Sequence, residues 1–473
     1  MLTATLPFGD LIKEDELARY CEGSSVKRRR IYTPEVTLRA FLSQAVGKSR
    51  SCQEAVNHVH LSSYDALNGS CSLNTSSYSR ARTRLNIGAL KKLTKEVNDS
   101  MTIDADPRWL WKKRKVSILD GSTIAMADTS LNTEVFPKKK NQQTNGYPLS
   151  RVMIASSLET GGIIDFKMAA FKGKGTGEIP LGASLLSSLE SGNVLLADAM
   201  FTSFAFIGLC LNQGLDLLAP LKSNRKFVIL GRKNIDDGDR LIVIEKPKLP
   251  HTGWISQSDY DQIPDKITLR ETVISIQRNG FRSKSIKIIT TMLDSETYSK
   301  QDLTEIFWSR WNIELDLRII KRDLGINFIT AKSPEMVSKE IWINLLAFNL
   351  VRRLINITSK RNGKCPRNIS FKKTLDYYLK SYQISPFKLE RMPTKISEAL
   401  SKFEIFRQVG RNEPRARKTS YGSDYPKLTI SRSQWRLVKI MPELEGLEFS
   451  SAFLDGFKKV KERMPTKKGY SIY

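Results

Sequence analysis

At 473 residues, 40% of them hydrophobic, the chain has the material for roughly two to four domains with real cores, which excludes a disordered or low-complexity polypeptide. Lys and Arg number 76 against 49 Asp and Glu, and the resulting net charge of +27 points to a polyanionic partner. No segment reaches the roughly 18 consecutive apolar residues of a membrane span, and no basic amphipathic helix or lipidation motif stands beside the cationic clusters, so a membrane partner is not expected.

Met1 to Asp10 lacks a basic region followed by an apolar stretch, so no secretory signal is expected. Five cysteines, an odd number with no CxxC pair, suit a reducing cytoplasm. His58, His60 and His251 give no zinc spacing and read as surface histidines.

Residues 1–110 read as a helical amino-terminal region. Thr33-Pro34-Glu35 is a helix start ahead of Val36, Leu38, Phe41, Leu42 and Ala45, and a second helix begins near Ser51. Helix, turn and helix are compatible with a DNA reader, and Tyr78-Ser79-Arg80-Ala81-Arg82-Thr83-Arg84 offers a basic face. A plain helical bundle fits the same pattern equally well.

From residue 111 the pattern turns to strands. Lys115-Val116-Ser117-Ile118-Leu119-Asp120-Gly121 reads as a buried strand closed by Asp120, with Val116, Ile118 and Asp120 on one side by period-two alternation. A hairpin follows, Val152 to Leu158 and Ile163 to Ala170 around Thr160-Gly161-Gly162. Ile179 to Leu189 reads as a helix. Asn193 to Asp198 is a second apolar run ending in a carboxylate, followed by a helix over Phe204 to Leu211 and a short strand over Leu215 to Leu218. An Asp at a strand end is commonly a turn former or cap, so either residue alone says little.

Lys172-Gly173-Lys174-Gly175-Thr176-Gly177 lacks the Gly-Lys-Ser/Thr ending of a P-loop, so it reads as a basic loop and no nucleotide is expected. Residues 223–292 shift to short β-rich runs, Leu241 to Ile244, Ile267 to Ile276 and Ser285 to Thr291, which look like an insertion whose last strand belongs either to it or to the main sheet. Trp254 lies in this segment.

Phe307-Trp308-Ser309-Arg310-Trp311-Asn312-Ile313-Glu314-Leu315-Asp316-Leu317-Arg318-Ile319-Ile320-Lys321 sets one carboxylate between two cations at helical spacing. Offsets of three, seven and fourteen from Phe307 fall within an arc of about 60° on an α-helix, so Phe307, Arg310, Glu314 and Lys321 share a face. Beyond it, Pro334 opens a buried helix through Ile341 to Val351, and residues 361–473 form a basic carboxy-terminal region.

The spacing of Arg310, Glu314 and Lys321 resembles the Tyr-Arg-Glu-Lys signature of the fourth insertion-sequence family of bacterial DDE transposases, with Phe307 where that family has Tyr. The resemblance implies an α/β fold with a ribonuclease-H-like core over 111–222 and 293–360, interrupted by the β-rich insertion and flanked by helical terminal regions. It implies that Asp120, Asp198 and Glu314 are catalytic and hold two Mg²⁺ ions, with Mn²⁺ able to substitute. Asp120 would bridge both ions, while Asp198 and Glu314 would each hold one. Three carboxylates suit that task because a hard, hexacoordinate cation prefers oxygen ligands and retains several waters.

By the same resemblance Arg310 and Lys321 grip DNA phosphates, Phe307 packs or stacks at the DNA, and Trp254 is the candidate to hold a flipped base. The activity implied is metal-dependent cleavage at transposon ends and strand transfer into target DNA. The partners implied are terminal inverted repeats, target DNA and a second copy of the chain in a synaptic homodimer, in a bacterial cytoplasm beside the nucleoid. A ribonuclease-H-like nuclease without strand transfer would use the same acids, and a domesticated DNA-binding protein would keep the fold without the chemistry. Lys27-Arg28-Arg29-Arg30, Lys112-Lys113-Arg114-Lys115, Lys138-Lys139-Lys140 and Arg415 with Arg417 and Lys418 suggest a long DNA track.

Overall fold

A computed structural model of the chain describes residues 6–8, 10–22, 31–47, 49–63, 71–138, 146–222, 225–248, 253–276, 284–384, 389 and 392–405. Residues 1–276 with 285–406 make one compact unit. A second unit, 277–284 with 407–473, lies outside the described residues except for Lys284.

Among the described residues five helices open the chain: α1 (Glu14–Glu22), α2 (Pro34–Val46), α3 (Cys52–Ser63), α4 (Thr75–Arg84) and α5 (Ile87–Ile103). The expected start of α2 is built as read: Thr33 caps it, its hydroxyl accepting from the Val36 amide at 3.2 Å, and Pro34 sits where a helix has no use for an amide proton. Val36, Ala40, Ala55, Val56, Val59, Tyr78 and Ala81 close a small core among α2, α3 and α4.

The middle of the chain builds the sheet: β1 (Val116–Met126), α6 (Ser130–Val135), β2 (Leu149–Ser157), β3 (Ile163–Ala170), α7 (Glu178–Leu186), β4 (Val194–Leu196), α8 (Phe204–Asn212) and β5 (Asp216–Pro220). β6 (Ile229–Asp236), β7 (Asp239–Glu245), α9 (Gln257–Asp261), β8 (Lys266–Ile276) and β9 (Lys284–Thr290) follow. Then come α10 (Lys300–Ser309), α11 (Asn312–Arg318), β10 (Phe328–Ile329), α12 (Pro334–Arg361), α13 (Phe371–Ile384) and α14 (Thr394–Ser401).

The strands run β3-β2-β1-β4-β5-β9-β8-β7-β6 in one sheet, with β10 pairing β1. β1, β4 and β5 are parallel, whereas β2 and β3 are antiparallel, which is the ribonuclease-H-like order expected of the core. The β-rich insertion does not stand apart. β9 pairs antiparallel with β5, so the last of the expected insertion strands belongs to the main sheet and β8, β7 and β6 extend it.

Alternation along the strands divides two apolar layers. Val116, Ile118, Ile124, Val152, Ile154, Val194 and Leu196 face α5, α11 and α12, while Leu119, Met153, Ala155, Leu195 and Ala197 face α7 and α8. α12 is buried around most of its circumference, as the run Ile341 to Val351 implied, and its Asn349 side chain bonds both backbone groups of Ile163, at 2.8 and 2.9 Å.

Candidate active site

β1 and β4 run in parallel with Val116, Ser117 and Ile118 opposite Val194, Leu195 and Leu196. Carried two residues further, that register sets Asp120 beside Asp198, on strands whose spacing is about 4.8 Å. Val116, Ile118 and Asp120 do share one side of the sheet. The sequence reading ended this strand at Asp120, but β1 continues to Met126 because β2 pairs with it throughout, Asp120 lying opposite Ile154.

The carboxylate has room for another reason. On the edge away from β2, β1 is paired to β4 only through Ile118 and to β10 only from Ala125, so among the described strands none covers residues 119–124 there. In that notch the Gly121 amide donates to Asp120 Oδ1 at 2.8 Å. Asp198 leaves its strand as the cap of a short 3₁₀ turn, Oδ1 accepting from the Ala199 amide at 2.7 Å.

The third acid arrives from the helical layer on the same side. The expected single helix over 307–321 is a composite: α10 ends at Ser309, Arg310 and Trp311 form a turn, α11 resumes at Asn312, and residues 319–323 widen into a π-helix. Glu314 pairs with Arg310 at 3.7 Å. Lys321, inside the π segment, donates to Ser122 Oγ on β1 at 3.0 Å. A π turn inside a helix marks functional sites more often than chance.

Phe307 does not join this polar group. It is 6% exposed and packs into the core edge-on to Trp308, the packing alternative of the reading for this ring. Trp308, Trp311 and Leu315 carry the exposed apolar surface of this composite helix. Trp254 is half-buried and packs, with Phe227 and Ile255, against the apolar layer that also holds Leu119 and Leu195.

Asp120 is held up to about pH 6. Burial is the chief cause; Glu314 and Asp198 add repulsion, while the Gly121 amide and Arg310 pull the other way. The two other acids therefore lie within electrostatic reach. Among the described residues, however, no three His, Cys, Asp or Glu side chains stand close enough to hold a metal ion as they are turned here. The donor set still fits a hard divalent cation. All three side chains supply oxygen, and their mutual repulsion is what such a cation relieves. Burial pushes the Lys321 ammonium down from its ordinary value.

A network that the sequence reading missed holds α11 in place. Asp316 is fully buried and takes Arg352 Nη2 at 2.8 Å and Arg367 Nη1 at 2.8 and 2.7 Å on its two oxygens. Arg367 also donates to the Leu158 and Ser157 carbonyls at 2.9 and 2.6 Å, tying α11 to the β2–β3 turn. Burial draws Arg352 down to about 10. The signal was present: Asp316 falls on the same helical face as Ile313, Leu317 and Ile320, and an acid on an apolar face needs a buried cation.

One cluster of the expected DNA track is largely paired with acids of the same fold. Lys112 pairs with Asp302 at 2.8 Å, Arg114 with Asp216 at 2.7 Å and Lys115 with Glu190 at 2.6 Å, so three of the four cations of this run are matched by acids within the fold. Lys138 pairs with Asp128 at 2.5 Å. Lys27 to Arg30, Lys139 with Lys140, and Arg415 with Arg417 and Lys418 lie outside the described residues. No described helix is long and apolar enough to cross a membrane.

The sequence family described as transposase DDE domain matches residues 111–350. A curated relative, transposase InsG for insertion sequence element IS4 of Escherichia coli (strain K12), is 24% identical over 298 residues, a match spanning 62% of this chain and 64% of the relative's length. Among solved structures, the cryo-EM structure of a piggyBac transposase synaptic complex with hairpin DNA aligns with a TM-score of 0.38 at 14% identity, covering 90% of this chain and 87% of that one.

Proposed function

Because the chain belongs to the transposase DDE domain family, whose members generally use divalent metal ions, we propose that it cleaves DNA at transposon ends and transfers the freed strand into target DNA. The observation that carries this reading is the register of β1 and β4, which sets Asp120 beside Asp198 on the face where α11 brings Glu314.

Asp120, Asp198 and Glu314 would hold two Mg²⁺ ions, with Mn²⁺ a workable substitute, and the bound cations would supply activation of the attacking oxygen and stabilisation of the leaving one. The protein's own part is positional and electrostatic. Arg310, beside Glu314, and Lys321, on the same face of β1, grip phosphate oxygens of the strand to be cut. The acids alone would repel a phosphate, and these two cations offset that repulsion before any metal is counted. Terminal inverted repeats and target DNA are the substrates, a homodimer brings two ends together, and the bacterial cytoplasm is the place of action.

The test incubates purified protein with Mg²⁺, a labelled duplex carrying the element end and an unlabelled target plasmid, alongside Asp120→Ala, Asp198→Ala and Glu314→Ala. Nicking and joining should occur in the wild type and fall below detection in each variant, while gel-shift binding of the duplex stays within about threefold. Cleavage without joining would point to a nuclease. Binding with no cleavage in any form, wild type included, would leave a DNA-binding protein on this fold.

A further inference from the structure

Lys321 sits in a setting unusual for a cation in a chain rich in ion pairs. Its ammonium is half-buried, yet among the described residues no carboxylate lies within ion-pair distance, and its one hydrogen-bond partner is the hydroxyl of Ser122. A lysine head on four rotatable bonds, leaving a π-helical segment, has little of its own to fix where the charge points. Ser122 stands two residues beyond Asp120 on β1, so alternation puts both side chains on one face about 7 Å apart along the strand.

We propose that Ser122 is a positioning residue, which holds the Lys321 ammonium on the face of β1 that bears Asp120 and thereby aims it at the phosphate to be cut. The chemistry of the partner matters. A carboxylate at position 122 would fix Lys321 just as well but cancel the charge that a phosphate needs. A hydroxyl accepts from the ammonium without neutralising it, and keeps its own proton to donate to a phosphate oxygen. The proposal rests on the reading of Lys321 as a phosphate grip.

Single-turnover cleavage and duplex binding are measured for wild type, Ser122→Ala, Ser122→Thr, Lys321→Ala and the double variant Ser122→Ala with Lys321→Ala, at saturating Mg²⁺. Ser122→Ala removes one hydroxyl from a partly exposed strand position, so folding is not at stake, and a melting curve checks it. Loss of a hydrogen bond to a charged group should slow cleavage roughly tenfold or more, with the dissociation constant for the duplex within about twofold. Ser122→Thr should restore the rate, and in the Lys321→Ala background the serine substitution should cost nothing further.

Wild-type cleavage by Ser122→Ala, or a full additional loss in the double variant, overturns the positioning role. If Lys321→Ala itself cleaves as wild type does, the phosphate-grip reading falls and takes the proposal with it. If Lys321→Ala is slow while Ser122→Ala is not, only the proposal fails.

Discussion

At neutral pH the Asp120 carboxyl carries its charge against the preference of its surroundings. Its pKa in the fold, about 6, lies above the ordinary 3.8 because burial and two neighbouring acids disfavour the ionised form. A carboxyl whose pKa rises on folding favours the fold only while protonated. Its contribution is whole below pH 3.8, declines as pH rises through about 6, and is gone above that. Asp120→Asn keeps the shape without the charge, so in metal-free buffer it should melt above the wild type at pH 8, by a difference on the order of 1–3 kcal/mol. The gap should close as pH is lowered toward 4. Added Mg²⁺ should raise the wild type more than the variant. Equal melting temperatures at pH 8 without metal would mean that neither burial nor the neighbouring acids disfavour the ionised Asp120 in solution.

The same tension separates what could be read locally from what could not. Asp120 and Asp198 each close a short apolar run, and for Asp120 period-two alternation was enough to choose its face. The distance between them depends on the parallel pairing of β1 with β4, which no local pattern encodes.

The element that carries Glu314 is anchored from beneath. α11 is only Asn312–Arg318, bounded by a turn on one side and a π segment on the other, and a helix this short has little stability of its own. Packing of Ile313 and Leu317 helps, but the polar anchor is Asp316, whose two oxygens take Arg352 and Arg367. Asp316→Asn leaves two buried guanidiniums facing each other with no counter-charge. Breaking such a pair typically costs about 3–5 kcal/mol, so chemical denaturation should show a loss of that order. Replacing Arg352 by Met in the same protein should recover part of it, since one uncompensated charge is gone. A loss under 1 kcal/mol for Asp316→Asn would show that α11 is held by its apolar face alone.

Elements with local signals were legible: the Thr33 cap, the Pro334 start, and the hairpin turn where Gly161 takes φ of +74°. β1 was cut short because Gly121 reads as a terminator, although β2 carries the strand through it. β6 was missed because Gly231, Arg232, Lys233 and Asn234 break any strand pattern at an exposed sheet edge, where charged residues are tolerated because they discourage further pairing. The π segment over residues 319–323 broke the single helix that the spacing of Phe307, Arg310, Glu314 and Lys321 implied.

For the whole molecule, charge sets the terms. With 76 cations and 49 anions, one-to-one pairing leaves 27 cations without an acid however the chain folds. The pairs formed by Lys112, Arg114, Lys115 and Lys138 concentrate that excess elsewhere rather than reduce it. Composition gave the sign and class of the partner, but not the path, because a run of cations in sequence can be neutralised by acids brought in from other elements.

If the excess meets DNA, binding displaces condensed counterions, and the logarithm of the association constant falls linearly with the logarithm of salt, with a slope of about −0.9 per phosphate contacted. A transposon end held along one face engages at least about six phosphates, so affinity should drop on the order of a thousandfold between 50 and 200 mM salt. Fluorescence anisotropy with an end-bearing duplex measures this directly. Arg310→Ala and Lys321→Ala should each lower the slope by about one, while Asp198→Ala should leave it unchanged, because a carboxylate displaces no counterion from DNA. A slope shallower than about two would mean that the charge is not directed at the DNA backbone. Unchanged slopes in both cation variants would place the path of the strand away from the face that bears Asp120.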